Sequence, residues 1–190
     1  MWPKAFRHQK EIEMKRYHPI IVAAHWIAAI MILVALFIGG PALSELESTD
    51  PLKTTALGGH MIWGLVIGFL MLVRVIMRLT TKNPPAADAG NEMLNKGAKG
   101  AHLALYVLVF AMVASGLGIA FTTDLFAVAF GDGSTMMPAT FEGIPPRVAH
   151  GIISSLITIL VIFHVIGWGY HQFVRKDSLL SRMWFGRRTD

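Results

Sequence analysis

Apolar residues in this chain fall into four unbroken runs rather than into the alternation of a half-buried soluble fold. The runs cover about Ile20 to Ile38, Ala56 to Leu79, Ala101 to Thr122 and Val148 to Phe173. Each reaches the roughly 20 residues that a helix needs to cross the hydrocarbon core at about 1.5 Å per residue. Backbone groups in lipid must be satisfied within the segment, and the runs lack the alternation of barrel strands, so helices are the predicted elements. The expected architecture is all-α, an integral membrane four-helix bundle forming a single transmembrane domain over residues 1–190. The first run is longer than the roughly 7 to 15 residue core of a secretory signal and no small-residue cleavage motif ends it cleanly. It is expected to stay as a permanent anchor.

The polar segments between the runs set the expected direction. All but Lys53 and Arg147 of the 17 Lys and Arg residues fall in three segments: the N-terminal stretch with Lys4, Arg7, Lys10, Lys15 and Arg16, the connection after the second run, and the tail. The opposite connections carry Glu45, Glu47, Asp50, Asp124, Asp132 and Glu142. By the positive-inside rule both termini are cytoplasmic. The connection from Thr81 to Gly100, with Pro84-Pro85, reads as a polar loop. That from Asp124 to Pro146 keeps Leu125, Phe126, Phe130, Met136, Met137 and Phe141, and is expected to lie at the outer surface as a lid.

Composition agrees with a membrane protein and narrows the chemistry. The chain is 54% hydrophobic and 15% charged, against roughly 25% charged in soluble domains. Its net charge of +5 is explained by topology, so no nucleic-acid partner is expected. There is no cysteine, which excludes disulfide scaffolds, thiolate metal sites and thiol redox sensing. Eight histidines are present, and His25, His60, His150 and His164 fall inside the apolar runs. Polar residues in spans are costly and mark function by default, although any one of them could simply bond a neighbouring carbonyl.

Depth separates the four into two pairs. From the cytoplasmic side His25 is about 8 Å deep and His164 about 14 Å deep, while His60 and His150 each lie within about 6 Å of the outer boundary. His150 and His164 are 14 residues apart, close to four turns, and so share a face about 21 Å apart along the axis. Two imidazoles from facing helices are what a planar macrocycle needs as axial ligands. Zinc would gather three or four ligands at one point, and a proton relay would include an intramembrane Asp or Glu, which the runs lack. The pattern therefore points to two bis-histidine haems.

Other residues attach to this scheme. Arg74 and Arg78 follow His60 by 14 and 18 residues and lie near its face. Arg74 comes at the level of His164, where a guanidinium would hold a haem propionate; snorkelling to headgroups is the competing reading, stronger for Arg78. Gly64 and Gly68 lie four and eight residues after His60 and would admit a porphyrin edge or pack against a neighbouring helix. Gly58 and Gly59 lie in the same helix. His171, two turns beyond His164, and His102 lie at the cytoplasmic boundary and are candidates to line a quinone site, bonding a carbonyl and carrying its proton. The tryptophans near span ends are explained by the interfacial aromatic belt.

With Ala24-His25-Trp26, His60 followed by Arg74 and Arg78 before Pro84-Pro85, His102-Leu103 with Tyr106, the His150 to His164 spacing, and the Lys176-Asp177-Ser178-Leu179-Leu180 tail, the sequence resembles the bacterial di-haem cytochrome b561 family, related to the cytochrome b subunits of membrane hydrogenases. The resemblance runs from about Tyr17 to Met183. It implies that His25, His60, His150 and His164 ligate two haem b groups in a multi-pass protein of the bacterial inner membrane, with ubiquinone as electron acceptor. Stand-alone members resemble a superoxide oxidase that passes electrons from periplasmic superoxide to ubiquinone. Others relay electrons between a periplasmic dehydrogenase or hydrogenase and the quinone pool. The compact length and lack of a fused redox domain favour the stand-alone enzyme, while the long basic N-terminus would suit a partner. Lys53 and Arg147, the only basic residues on an acidic outer surface, are candidates to steer superoxide, or else headgroup anchors.

Overall fold

The computed structural model describes residues 15–188 and, within them, is built of helices with no strand. Lys4, Arg7 and Lys10, which enter the charge pattern, lie outside the described residues. In chain order the elements are α1 (Pro19–Val34), a π-helical segment (Ala35–Gly39), α2 (Gly40–Glu45), α3 (Pro51–Thr80), α4 (Glu92–Thr122), α5 (Leu125–Phe130), α6 (Pro145–Gly169), a second π-helical segment (Tyr170–Arg175) and α7 (Leu179–Arg182). Four continuous helical stretches are long and apolar enough to span a membrane: Pro19–Glu45, Pro51–Thr80, Glu92–Thr122 and Pro145–Arg175.

Each stretch is longer than the apolar run that predicts it, and the reason lies in the caps. Proline takes the first turn of α1, α3 and α6, where its missing N–H costs nothing. Asp50 accepts from the Leu52 N–H at 2.8 Å to start α3 five residues before the run. The largest difference is α4. Asn91 accepts from the N–H groups of Met93 and Leu94, and Glu92 pairs with Lys96 at 2.7 Å, so α4 begins nine residues before Ala101. Half of the expected polar loop is therefore helix. The remainder, residues 81–91, follows the stop at Asn83-Pro84-Pro85.

The helices associate as two extensive pairs, α1 with α3 and α4 with α6, joined through α3 and α4. Ala28, Ile67, Met71, Val109 and Ile157 form a buried apolar layer at mid-bundle, with at least one residue from each span. Around the outside, Leu33, Phe69, Phe121, Phe163 and Ile166 are exposed, the surface a lipid solvent requires. Gly68 belongs to packing: a Cβ there would meet the Val113 side chain of α4 at 3.2 Å.

The two ends are closed differently. At one end α5 lays Leu125 and Val128 against Leu57, Ile119 and Ala120, so the connection after α4 carries a short docked helix. Phe126, Met137 and Phe141 pack against this cluster, while Met136 and Phe130 stay exposed. At the other end the segment after α6 straps both termini together. Lys15 and Tyr17 donate backbone N–H groups to Arg188 and Arg182 at 2.8 and 3.1 Å. Arg182 and Arg188 reach the Pro85 and Lys82 carbonyls. The described chain thus enters and leaves the bundle at the same end.

Candidate functional site

The structure assembles two histidine clusters on opposite sides of the mid-bundle layer, with the pairing that depth predicts. His25 of α1 faces His164 of α6 with ring centres 6.3 Å apart and planes at 70°. His60 of α3 faces His150 of α6 at 6.1 Å and 67°. Two metal–imidazole bonds of about 2.0 Å, with a ring radius at either side, separate ring centres by roughly 6 Å. Both pairs are too wide for a direct imidazole–imidazole bond and fit a single ion between them. No group of three or more His, Asp or Glu arranged around one metal position occurs among the described residues. Two-ligand axial binding of a haem iron suits this donor set better than a tetrahedral zinc site.

The His60–His150 cluster, called outer after the topology expected from the charge pattern, as the His25–His164 cluster is called inner, opens on a cavity of about 1090 Å³, lined among others by His60, His150, Gly64, Gly116, Lys53 and Arg147. A Cβ on Gly64 would meet nothing within 4 Å, so this glycine supplies room rather than helix packing. A Cβ on Gly116 would lie 3.5 Å from His150 Cε1, ordinary contact. The Ser115 hydroxyl donates to the Met112 carbonyl at 2.9 Å, which leaves its oxygen to accept from His150 Nδ1, also at 2.9 Å. This fixes the proton on Nδ1 and turns Nε2 to the cavity.

The inner cluster is more polar. Arg74 of α3 donates from Nη1 to His25 Nδ1 at 2.8 Å, and its guanidinium carbon stands 5.5 Å over the Tyr106 ring. Arg74 Nε and the Tyr106 hydroxyl are buried without a hydrogen-bond partner. An unpaired buried guanidinium nitrogen is expensive, and a carboxylate group at this point would satisfy it. A guanidinium only donates, so His25 Nδ1 is here an acceptor; iron ligation through Nε2 needs Nδ1 to donate. A propionate that drew Arg74 away would release it. Spacing, cavity and orphaned donors therefore all fit haem.

The remaining residues of the sequence scheme are spread around this core. Arg78 is exposed, its guanidinium 5.7 Å over the Tyr17 ring, and takes no part in the inner cluster. His171 is 8% exposed, in the π-helical segment, with Nδ1 2.6 Å from Asp177 Oδ2. Lys53 donates to the Leu43 and Leu46 carbonyls at 2.8 and 2.6 Å, capping the end of α2, whereas Arg147 is exposed at the cavity. His102, a quinone-site candidate at the boundary by its sequence position, stands instead beside His164. Beginning the helix at Ala101 sets it at the boundary; beginning at Glu92 sets it about 15 Å along the axis, and its ring centre is 5.3 Å from that of His164. Trp26 likewise does more than belong to an aromatic belt, since its indole N–H donates to the Met183 carbonyl at 2.8 Å beside His25.

Comparison with known proteins places these clusters in context. The family described as prokaryotic cytochrome b561 matches residues 16–186. The chain is similar to cytochrome b561 homolog 2 of Escherichia coli (strain K12), 28% identical over 173 residues covering 89% of this chain and 91% of that protein. It is also similar to the probable superoxide oxidase CybB of Yersinia pestis, 24% identical over 180 residues covering 89% of this chain and 96% of that protein.

Proposed function

The chain belongs to the prokaryotic cytochrome b561 family of bacterial membrane electron-transfer proteins, and on that footing we propose that it carries electrons through two b-type haems from superoxide at the periplasmic face to ubiquinone. The observation that carries this reading is the pair of matched histidine spacings, 6.3 and 6.1 Å, on either side of an apolar layer. Haem supplies one-electron chemistry at an iron whose behaviour the protein sets through ligands, burial and charge.

The chain's own residues then have separable tasks. His60 and His150 hold the outer group, with His150 oriented by Ser115. His25 and His164 hold the inner one, and Arg74 meets a propionate. Arg147, exposed at the mouth of the outer cavity, raises the local concentration of an anion such as superoxide. Two superoxide anions leave as dioxygen and give two electrons; a quinone taking both electrons also takes two protons to become a quinol. For those protons the His171–Asp177 pair is the assigned carrier, next in sequence to Gln172, which with Arg16 and Trp184 lines a cleft of about 390 Å³. His171 does not itself line that cleft.

A relay role within a larger complex draws support from the lid, where exposed Met136 and Phe130 offer an apolar surface to a periplasmic redox protein. Purified chain with two haem b per polypeptide, rapidly reduced by enzymatically generated superoxide and reoxidised by a soluble ubiquinone analogue, supports the enzyme. Slow reduction by superoxide, together with a flavo- or metalloprotein that co-purifies in mild detergent, supports the relay.

A further inference from the structure

Both inward histidines of α6 back onto α4, and α4 carries a polar residue at each level. At the outer level His150 is held by Ser115, whose hydroxyl donates in turn to the Met112 carbonyl. Thirteen residues earlier on α4, at the level of His164, stands His102. Thirteen residues on one helix and fourteen on its antiparallel neighbour are about 20 and 21 Å of axis, so the two contacts repeat at matching heights.

The inner ring contacts have two different lengths. His25 to His164 is 6.3 Å, the separation suited to an intervening ion. His102 to His164 is 5.3 Å, with planes at 79°. An N–H···N bond of about 3 Å, with ring radii at both ends, brings imidazole centres to roughly 5 Å. A neutral His102 imidazole keeps one ring nitrogen as a lone pair. Among the described residues the His164 ring has no hydrogen-bond partner, and the His102 ring stands in edge contact with it. A neutral imidazole that ligates through one nitrogen carries its proton on the other, and that N–H requires an acceptor.

We propose that His102 is the positioning residue of the inner site: the acceptor that orients the His164 imidazole and strengthens it as a ligand, as Ser115 does for His150. The proposal rests on the haem reading, which the haem count of the unaltered chain tests by itself. A ring nitrogen is a stronger acceptor than a hydroxyl that is already donating, so α4 also makes the two sites unequal.

The test uses the full chain purified with its haems, and identifies the inner haem as the one lost in His164→Ala. His102→Phe removes the acceptor while keeping the volume, and His102→Gln restores an acceptor oxygen. The expected result is a 10- to 100-fold weaker hold on the inner haem in His102→Phe, with an upward shift of its midpoint potential and an altered low-spin ferric resonance. The outer haem should keep its wild-type values. His102→Gln should return the inner values toward wild type, and Ser115→Ala should disturb only the outer haem. Unchanged inner potential and resonance in His102→Phe, equal changes at both haems, or a His102→Gln variant indistinguishable from His102→Phe would each overturn the proposal. Should His102→Phe fail to accumulate, His102→Ala removes the acceptor without filling space and carries the same expectations.

Discussion

The inner and outer histidine pairs have nearly the same spacing and quite different surroundings. The inner pair is set among Arg74, Tyr106 and His102 and sealed by a strap of backbone and arginine hydrogen bonds. The outer pair borders a cavity of about 1090 Å³ under an apolar helix, with one serine as its polar neighbour and an exposed arginine at the mouth. Equal ligand geometry in unequal environments would let one chain hold two like cofactors and give them different tasks. Ligation sets the site, while charge, solvent and hydrogen bonding set its potential and access.

The comparison breaks most sharply if the pairs are not independent. His164→Ala should leave about one haem of two, retained on His60 and His150, and His150→Ala should leave the other, read from haem content and the reduced-minus-oxidised spectrum. The mid-bundle layer of Ala28, Ile67, Met71, Val109 and Ile157 separates them, so each variant should keep the other site intact. Loss of both haems from a folded variant would mean that the two sites form as one unit.

Much of this division was legible from the chain, because a helix reduces position to one number. With a rise of 1.5 Å per residue, His25, His164, His60 and His150 sort into depth-matched pairs without any knowledge of the packing, and Arg74 falls at the inner level. What escaped depended on a start point or on a second helix. Asn91-Glu92 is a helix-start signal buried in a polar stretch, and overlooking it set His102 at a helix start rather than about 15 Å along α4. Reading that cap first would have placed His102 beside His164. Ser115 gave no comparable signal, since a serine in a span ordinarily bonds its own helix; only the packing of α4 on α6 brings it to His150. The tie from Trp26 to Met183 joins residues far apart in sequence and has no local signature.

A second test sharpens the contrast in space. Gly64→Leu places a side chain where a Cβ meets nothing, and replaces a helix-interior glycine with a better helix former. The bundle should fold at least as well as wild type. Outer-haem occupancy should fall about tenfold or more, since a loss of fit of about 1.4 kcal/mol is enough for that, and the inner haem should be untouched. Titration of haem into the apoprotein followed by its spectrum reads this directly. An outer affinity equal to wild type would show that the cavity is not where the macrocycle sits.

Charge at the outer mouth predicts a smaller change. Arg147→Gln should slow haem reduction by superoxide roughly threefold to tenfold at low salt, and should flatten the dependence on ionic strength, because attraction of an anion is screened within about 8 Å at physiological salt. Lys53→Met should act through the fold instead, since the ammonium caps the Leu43 and Leu46 carbonyls; its effect on melting should exceed its effect on salt dependence. The reverse order would assign the steering to Lys53.

The smallest effect belongs to the inner end, where the loop before α4 meets the strap. Gly90 adopts a φ of +79°, and a Cβ there would run into the Arg175 guanidinium, so the turn brings loop and helix end together only with glycine. Asp88 holds this turn: it accepts from the Asn95 side chain at 2.8 Å and the Gly90 N–H at 2.9 Å. These bonds, the first foremost, keep its carboxyl below the usual carboxylate range. A group whose folded pKa is depressed stabilises the fold above its unfolded pKa of about 3.9, and loses that contribution as pH falls through the folded value. Asp88→Ala should therefore lower the melting temperature slightly at pH 7. Below about pH 4 the gap to wild type should narrow, because the wild-type carboxyl is then being protonated as well. Exchange of the backbone amides in residues 88–95 should rise in the variant at neutral pH, while both haem spectra stay as they are. A melting difference that widened on acidification would show that Asp88 acts through something other than its charged form.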